Sequence, residues 1–232
     1  MSEKKRGKKY RKNLELVAAG SVSVDQAFET LAGFTGAQFD ETVDVAVRLG
    51  VDPKVSEQNV RGAVVLPHGT GKVVRLLVFA KGDKLKEAEG LGVDFCGGEE
   101  YLQKIQQGWL DFDKIISTPD MMASVSKVAK ILGPRGLMPS PKSGTVTFEI
   151  KKAVEEERRG KVNYKIDKSG IVHAVIGKKS FGAEKLKENF KTLLDSIVRQ
   201  KPASSKGVYL KSIAISATHS PSLLIESVRL TA

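Results

Sequence analysis

The residues of this chain whose types could do chemistry are hydroxyl and aromatic side chains in stretches of alternating polarity. Thr42 lies in such a stretch, residues 40–49, and Phe39 directly precedes it. Ser212 and Thr218 lie in a second such stretch near the carboxyl end. Because side chains two apart share one face of a strand, each stretch predicts a strand with a polar face. Hydroxyls on a flat surface can bind phosphates and ribose hydroxyls, and an exposed ring can pack on a base.

Two plainer interpretations of these residues stay open. The β-propensity of Ser and Thr alone explains them on a strand face. Phe39 could equally be a core residue.

The basic residues are unevenly distributed along the chain, whose net charge is +11. Residues 1–12 hold seven Lys and Arg against one Glu, and residues 160–232 hold thirteen against five acidic residues. Residues 69–159 are nearly balanced, with fifteen against thirteen. If the two ends fold together, one domain has a positive surface suited to a polyanion. The residues that we expect to attract its backbone are Arg61, Lys168 and Lys211.

The signatures of common enzyme sites fail on inspection. The stretch 69–72, Gly-Thr-Gly-Lys, ends like a phosphate-binding loop, but Leu66 occupies the first glycine position and Val73 replaces the Ser or Thr that holds magnesium. A dinucleotide-binding pattern begins at 90–92, but Phe95 occupies its third glycine position. One cysteine and three scattered histidines make a structural zinc site improbable. We therefore expect no catalytic residues, no cofactor and no metal.

The order of predicted elements indicates an α/β protein of two domains. Residues 73–80 form a continuous apolar run interrupted by Arg75, of the kind that a parallel sheet buries on both faces. From there to Leu132, apolar strands alternate with helices, which is typical of a Rossmann-like domain with a parallel sheet. The flanking parts combine helices with antiparallel strands, among them a predicted β-hairpin of 161–166 and 171–176. We predict an outer α/β domain of 1–68 plus 160–232 and an inserted domain of 69–159.

Composition also bears on localisation. No apolar run reaches the roughly 18 residues that a membrane-spanning helix requires, and the run at 14–17 is too short for the apolar core of a signal peptide. The single cysteine agrees with a reducing compartment. We expect a cytoplasmic protein that does not bind membranes.

Several longer motifs are distributed along the chain. The longest is 131–142, Ile-Leu-Gly-Pro-Arg-Gly-Leu-Met-Pro-Ser-Pro-Lys. The others are Phe-Asp-Glu-Thr at 39–42, Gln-Asn-Val-Arg-Gly at 58–62 with Leu-Pro-His-Gly at 66–69, and Asp-Lys-Ser-Gly at 167–170 with His173. In this order they resemble the motifs of one family, the universal large-subunit ribosomal protein L-one family of bacterial type, which binds the mobile stalk of the large ribosomal RNA.

The resemblance implies that the outer domain binds ribosomal RNA and that the inserted domain joins it through two hinge strands. It also implies help with the release of deacylated tRNA from the exit site, translational repression of the protein's own operon mRNA, and a location on the ribosome. We expect a monomer outside the ribosome. The predicted RNA-binding residues are Phe39, Thr42, Arg61, Lys168, Lys211, Ser212, Thr218, His219 and Ser220, and the predicted hinge residues are Pro67, His68, Gly69 and Gly160.

The sequence departs from the family pattern in the last RNA-facing segment. The family usually has Thr-Met-Gly-Pro there, whereas this chain has Thr-His-Ser-Pro at 218–221. A glycine lets RNA approach bare backbone, so Ser220 implies a different local contact. Gln38 also stands where a basic residue is common.

Two other functional hypotheses remain. One is a nucleotide-dependent enzyme that uses the inserted domain. The other is a non-specific RNA chaperone that acts only through the basic amino-terminal tail.

Overall fold

The computed structural model describes residues 7–205 and 207–226. The chain is a mixed α/β protein that divides into two compact units. The outer unit contains the described residues up to Gly71 and those from Val162 onward, and the inserted unit runs from Lys72 to Lys161. The boundaries thus fall two or three residues after those predicted from the sequence.

The helices and strands begin with a helix, a strand, a helix and three strands, continue through the middle of the inserted unit, and end with two strands, a helix and two strands. In chain order they are α1 (Lys8–Glu15), β1 (Ser21–Val22), α2 (Val24–Gly33), β2 (Thr42–Leu49), β3 (Arg61–Val65), β4 (Leu76–Phe79), α3 (Asp83–Gly90), β5 (Phe95–Gly97), α4 (Glu99–Gln106), β6 (Lys114–Ser117), α5 (Met122–Val125), α6 (Ala129–Leu132), α7 (Ile150–Arg158), β7 (Lys161–Lys165), β8 (Ile171–Lys178), α8 (Gly182–Arg199), β9 (Leu210–Ala217) and β10 (Leu223–Ile225).

The outer unit is organised around a five-stranded sheet of order β1-β10-β9-β2-β8. Its strands pair antiparallel except for the parallel pair of β1 and β10. Helices α2 and α8 pack on one face, where the rings of Phe28 and Phe190 meet edge to face with centroids 5.7 Å apart. Apolar side chains therefore alternate along β2 and β9, because only one face of these strands contacts helices.

Local sequence signals explain where these two helices begin and what they bury. Ser23 and Gln26 form a reciprocal capping box at the start of α2, as their spacing predicts. Helix α8 buries Leu186, Leu193 and Ile197 at helical spacing against the sheet.

The predicted hairpin of 161–166 and 171–176 is wrong beyond its turn. Strand β7 pairs with β3 in a separate two-stranded sheet, whereas β8 joins the five-stranded sheet beside β2. One isolated bridge, Ile166 with Val172, links the two segments. The chain separates because β8 has a longer partner in β2, whose apolar face is already buried against helices.

The inserted unit has a parallel sheet of order β5-β4-β6 with helices on both faces. Leu77 and Phe79 of β4 pack towards α4 and α5, and Leu76 and Val78 pack towards α3 and α7. This explains the continuous apolar run seen in the sequence, since both faces of a covered parallel strand are dry. No helix among the described residues is long and apolar enough to span a membrane.

Candidate nucleic-acid interface

The five-stranded sheet presents a polar surface on the side opposite α2 and α8. The side chains of β2 and β9 that point away from these helices are exposed or half-buried, and we call this surface the open face: Thr42, Asp44, Ala46 and Arg48 of β2, and Ser212, Ala214 and Ser216 of β9. The two rows lie side by side, because Asp44 pairs with Ser216 and Arg48 with Ser212. Residues about 170 positions apart in sequence therefore form one surface, as the predicted polar faces require.

One end of the open face brings together four of the predicted residues. The Thr218 hydroxyl accepts a hydrogen bond from the Thr42 amide at 3.1 Å and lies 3.4 Å from the Thr42 carbonyl oxygen. The rings of Phe39 and His219 meet edge to face, with centroids 5.7 Å apart. Phe39 is 53% exposed, so it is not a core residue. We call this region the Thr42 end.

The loop that carries Phe39 is anchored by its two acidic neighbours. The Asp40 carboxylate accepts hydrogen bonds from the Ser180 amide at 3.1 Å and from the Ser180 hydroxyl at 2.6 Å. Glu41 is buried, and one of its carboxylate oxygens accepts from the Ala37 amide at 3.2 Å. Both carboxylates thus hold the loop to neighbouring segments, and the Phe39 ring stays exposed.

Ser220 has a structural part in the turn between β9 and β10. Its hydroxyl lies 2.8 Å from the Ala217 amide and 3.0 Å from the Pro221 carbonyl oxygen, and its own amide donates to the Ala217 carbonyl. The hydroxyl therefore closes the turn that presents Thr218 and His219. In this chain, Ser220 supports that turn from within.

The opposite end of the sheet carries the turn between β7 and β8, and we call it the Lys168 end. The Asp167 carboxylate accepts hydrogen bonds from the Ser169 and Ile171 amides, each at 2.8 Å. The hydrogen bond from the Ile171 amide is the largest influence on the Asp167 carboxyl. Together with the bond from Ser169, it lowers the pKa of Asp167. The turn leaves the Lys168 side chain exposed.

Lys211 and Ser212 lie at this same end, where β9 begins. The pairing with β2 shifts register between Arg48 and Leu49, so that Lys211 has no partner residue opposite it. A bulge of this kind redirects the extra side chain. Ser212 keeps its place on the open face. With a rise of about 3.3 Å per residue, Ser212 and Thr218 are about 20 Å apart along the strand.

Arg61 lies outside the five-stranded sheet. It is the first residue of β3, is exposed, and directly follows Val60, whose carbonyl accepts the Ile166 amide at 2.9 Å. Arg61 is thus one backbone pairing away from the turn at Asp167, and belongs with the Lys168 end. The predicted RNA-binding residues therefore form two groups on the outer unit.

Sequence analysis missed Lys178, whose ammonium lies at the Thr42 end, 2.8 Å from the Thr42 hydroxyl. Simple alternation from His173 would point Lys178 towards the core. A register shift opposite Val43 and Asp44 makes Gly177 pair with Val43 and Lys178 with Thr42, which returns the lysine to the open face. In the sequence, the one signal of this register shift was the glycine at position 177. Its φ of 149° is a conformation that favours glycine.

The predicted hinge residues at 67–69 are held by α8. The His68 amide donates to the Asn189 side-chain oxygen at 3.0 Å, and the Asn189 amide group donates to the Gly69 carbonyl oxygen at 3.0 Å. The His68 ring also contacts Glu188, 2.5 Å from its carboxylate. Pro67 is exposed. The buried Asn189 therefore fixes the end of this strand within the outer unit.

Gly160, the other predicted hinge residue, follows α7 and has φ at 92°. Its amide donates to the Glu157 carbonyl oxygen at 3.1 Å, which ends the helix. That conformation explains the glycine as a helix terminator. The assignment of hinge residues stays a prediction.

The two failed nucleotide patterns also lack the backbone context that such sites need. Residues 69–72 lie between β3 and β4, so the next element after them is a strand. Residues 90–92 lie at the carboxyl end of α3. Phosphate-binding loops of both kinds open a helix, since its amino-terminal amides contact the phosphate.

Comparison with known proteins shows the family of this chain. The model of the ribosomal protein L1p/L10e family matches residues 31–221. The chain belongs to this family. It is also similar to the large ribosomal subunit protein uL1 of Bdellovibrio bacteriovorus, with 58% identity over 221 residues that cover 95% of this chain and 94% of that protein.

Membership of the L1p/L10e family confirms the resemblance seen in the motifs and the α/β fold class. The protein is a structural ribosomal protein, which is a non-enzymatic role, and its predicted location on the ribosome is confirmed. The individual RNA-binding residues stay predictions.

Proposed function

We propose that the outer unit binds the stalk region of large-subunit ribosomal RNA through the open face and its two ends. The observation that carries this proposal is the Thr42 end, where the exposed Phe39–His219 ring pair lies beside the Thr42 and Thr218 hydroxyls. Rings can pack on a base or a sugar, and hydroxyls can bind phosphate or 2′-hydroxyl groups. Lys178 adds a cation to the same cluster.

The Lys168 end supports the same proposal from the other side of the sheet. Lys168, Lys211 and Arg61 are exposed there, and Arg48 extends the basic surface onto the open face. The two ends are about 20 Å apart along the strands. Adjacent phosphates of an RNA strand are several ångströms apart, so a few nucleotides of RNA backbone can contact both ends. The Thr42 end would then recognise RNA structure, and the Lys168 end would attract the backbone.

The test is the affinity of the full chain for stalk RNA when the Thr218 hydroxyl is removed. Thr218→Val should weaken binding about 5- to 150-fold, the equivalent of about 1–3 kcal/mol for a partner group left unsatisfied. Thr218→Ser should restore most of the affinity, because the hydroxyl returns. Thr192→Val is the matched control, since Thr192 lies on α8 on the covered side of the sheet, where its hydroxyl bonds to the Glu188 carbonyl.

If Thr218→Val and the Thr192→Val control bind stalk RNA equally well, Thr218 is not part of the site. Circular dichroism of each variant separates lost binding from lost folding, because the Thr218 hydroxyl also pairs with the Thr42 amide.

We further propose the two roles that follow from binding this RNA: assistance in the release of deacylated tRNA from the exit site, and repression of the protein's own operon mRNA. The second role requires one surface to bind both RNAs. Competition between stalk RNA and the mRNA leader for the full chain tests it, and simultaneous binding of both would contradict it.

The two alternative functions predict other results. A nucleotide-dependent enzyme would bind labelled nucleotides in equilibrium dialysis, and the loop contexts of 69–72 and 90–92 predict no such binding. A non-specific chaperone acting through its tail would lose all RNA affinity when residues 1–12 are deleted, whereas a folded site would keep its preference for stalk RNA.

A further inference from the structure

A carboxylate lies near the middle of the open face. Asp44 is exposed on β2 between Thr42 and Ala46, with Ser216 opposite it on β9 and Val175 opposite it on β8. Among the described residues, its carboxylate forms no hydrogen bond and no ion pair within 4.0 Å. An anion at the centre of a surface that attracts a polyanion needs an explanation, because it opposes the electrostatic attraction.

The other carboxylates around this surface already have partners. Asp40 accepts two hydrogen bonds from Ser180 at the Thr42 end, and Asp167 accepts two from backbone amides at the Lys168 end. Both carboxylates therefore act within the protein. Asp44 differs from them because its acceptor oxygens are uncommitted and face outward.

The groups around Asp44 are small or cationic. Burial raises the pKa of Asp44, while His173 and Lys178 act in the opposite direction. His173 lies two positions along β8 from Val175 and is 3.6 Å from Asp167, and Lys178 contacts Thr42. The carboxylate thus lies in a shallow, partly desolvated position, with two basic residues, His173 and Lys178, on the neighbouring strand.

A carboxylate accepts hydrogen bonds and donates none, so it cannot bind a phosphate. It can bind the other donors of RNA, which are the 2′-hydroxyl groups and the N–H groups of the bases. The neighbouring lysines donate hydrogen bonds only, and the neighbouring hydroxyls can both donate and accept, so all of them can bind phosphates. Among the residues of the open face, Asp44 is the one whose ionised side chain accepts only.

We propose that Asp44 is a specificity-determining residue, which accepts a hydrogen bond from a non-phosphate donor of the bound RNA, either a 2′-hydroxyl or a base N–H. This proposal rests on the proposed function, because it requires RNA on the open face. Phosphate contacts hold the RNA on the surface. Asp44 then stabilises the RNA only when a donor group lies opposite the carboxylate, which favours one RNA over others.

The decisive experiment is the sign of the effect of Asp44→Asn in the full chain. The substitution keeps the shape, removes one negative charge and replaces one of the two acceptor oxygens with an NH2 donor, which leaves a single neutral and weaker acceptor. If Asp44 is a bystander, binding of every RNA should become slightly tighter. We expect instead that affinity for stalk RNA falls about 5- to 150-fold, while affinity for an unrelated RNA of equal length is unchanged or rises. Stalk-RNA affinity that is unchanged or higher in Asp44→Asn overturns the proposal.

Asp195→Asn is the matched control, because Asp195 is exposed on α8, on the covered side of the sheet. It removes the same charge from the same unit and should increase the affinity for stalk RNA and for the unrelated RNA by the same small factor. Asp44→Ala is the second variant, and it should lose stalk-RNA affinity at least as strongly. Equal melting temperatures of the variants exclude misfolding as the cause.

Modified RNAs then distinguish the two donor sources. Single 2′-deoxy substitutions remove 2′-hydroxyls, and inosine in place of guanosine removes a base amino group. The modification that weakens the wild-type protein but leaves Asp44→Asn unaffected identifies the donor. If every modification reduces the affinity of the wild-type protein and of Asp44→Asn equally, Asp44 contacts none of the modified groups and the proposal is wrong. If the wild-type protein itself does not prefer stalk RNA, the proposed function fails first, and this inference fails with it.

Discussion

The two larger sheets of this chain differ in what covers them. The parallel sheet of the inserted unit has helices on both faces, so that Leu76 and Leu77, adjacent in β4, are both fully buried. The five-stranded sheet of the outer unit has helices on one face, so that Val43 is buried while Asp44 beside it is exposed. A sheet covered on both sides has no face left for a partner, whereas a sheet covered on one side offers a flat array of side chains at fixed spacing.

Charge follows the same division. The basic excess lies in the chain segments that form the outer unit, and the inserted unit is close to neutral. The sheet with the open face is therefore the one with the positive surroundings. The surface that we propose for RNA binding is therefore defined as much by the absence of helices on that side of the sheet as by the residues on the strands.

The largest effect expected from this comparison is the salt dependence of RNA binding. If about six phosphates are neutralised, affinity of the full chain should fall about a thousandfold between 50 and 200 mM salt. Lys168→Ala in the outer unit should reduce the slope of log affinity against log salt by about 1. Lys130→Ala in the inserted unit should leave the slope unchanged. Filter binding over a salt series measures both, and equal slopes for the two variants would remove the distinction between the units.

A smaller effect is expected from a methyl group added at the bulge that positions Lys178. An alanine Cβ at Gly177 would lie 2.9 Å from the Phe181 ring and 3.0 Å from a Leu186 methyl group, at a φ of 149° that disfavours side chains. Gly177→Ala should therefore reduce the free energy of unfolding by about 1–3 kcal/mol.

Gly90→Ala in the inserted unit is the control for this glycine, since a Cβ there meets open space at the end of α3. It should be neutral or stabilise by up to about 1 kcal/mol. Urea denaturation followed by circular dichroism compares them. A Gly177→Ala protein as stable as the wild type would mean that the bulge accepts a side chain.

The smallest effect concerns acid stability of the inserted unit. The hydrogen bond from Lys72, 2.6 Å from the carboxylate, with further bonds from Arg75, lowers the pKa of Asp113 to about 2. Because the folded-state pKa lies below the ordinary value of about 3.9, this stabilisation is complete above that value and is lost as pH falls towards 2.

Asp113→Asn should therefore lower stability at neutral pH and lessen the further loss between pH 4 and 2. The chain has one tryptophan, Trp109, which lies in the inserted unit beside Phe112, so its fluorescence during urea denaturation reports on this unit. Identical pH profiles for Asp113→Asn and the wild type would show that the Lys72 contact does not act on folding.

Much of the fold followed from local patterns. The alternation of β2 and β9, the apolar run of β4 and the capping box of α2 each depend on side chains within a few residues, and all three predictions are confirmed. The predicted hairpin was wrong because β7 pairs with β3 and β8 pairs with β2. Such pairing depends on segments that are distant in sequence, and local patterns carry no information about them.

The candidate site was predictable in part for the same reason. Thr42 and Thr218 were chosen as separate strand positions, and their hydrogen bond is a result of the register between β2 and β9. Lys178 was missed because a bulge reverses its direction, and the role of Ser220 in closing its turn was not visible in the sequence. Asp44 was seen only as one of the polar residues of its strand.

The amino-acid sequence alone was enough to establish which strands have one polar face, which strand is apolar on both sides, where the charge lies and which family the motifs resemble. These are properties of composition and periodicity, which a chain carries before it folds. Folding was needed to bring Phe39 against His219, to turn Lys178 to the open face, and to leave the Asp44 carboxylate without a hydrogen bond or ion pair among the described residues. Such contacts depend on strand register, and a shift of a single residue would turn every one of these side chains to the other face of the sheet.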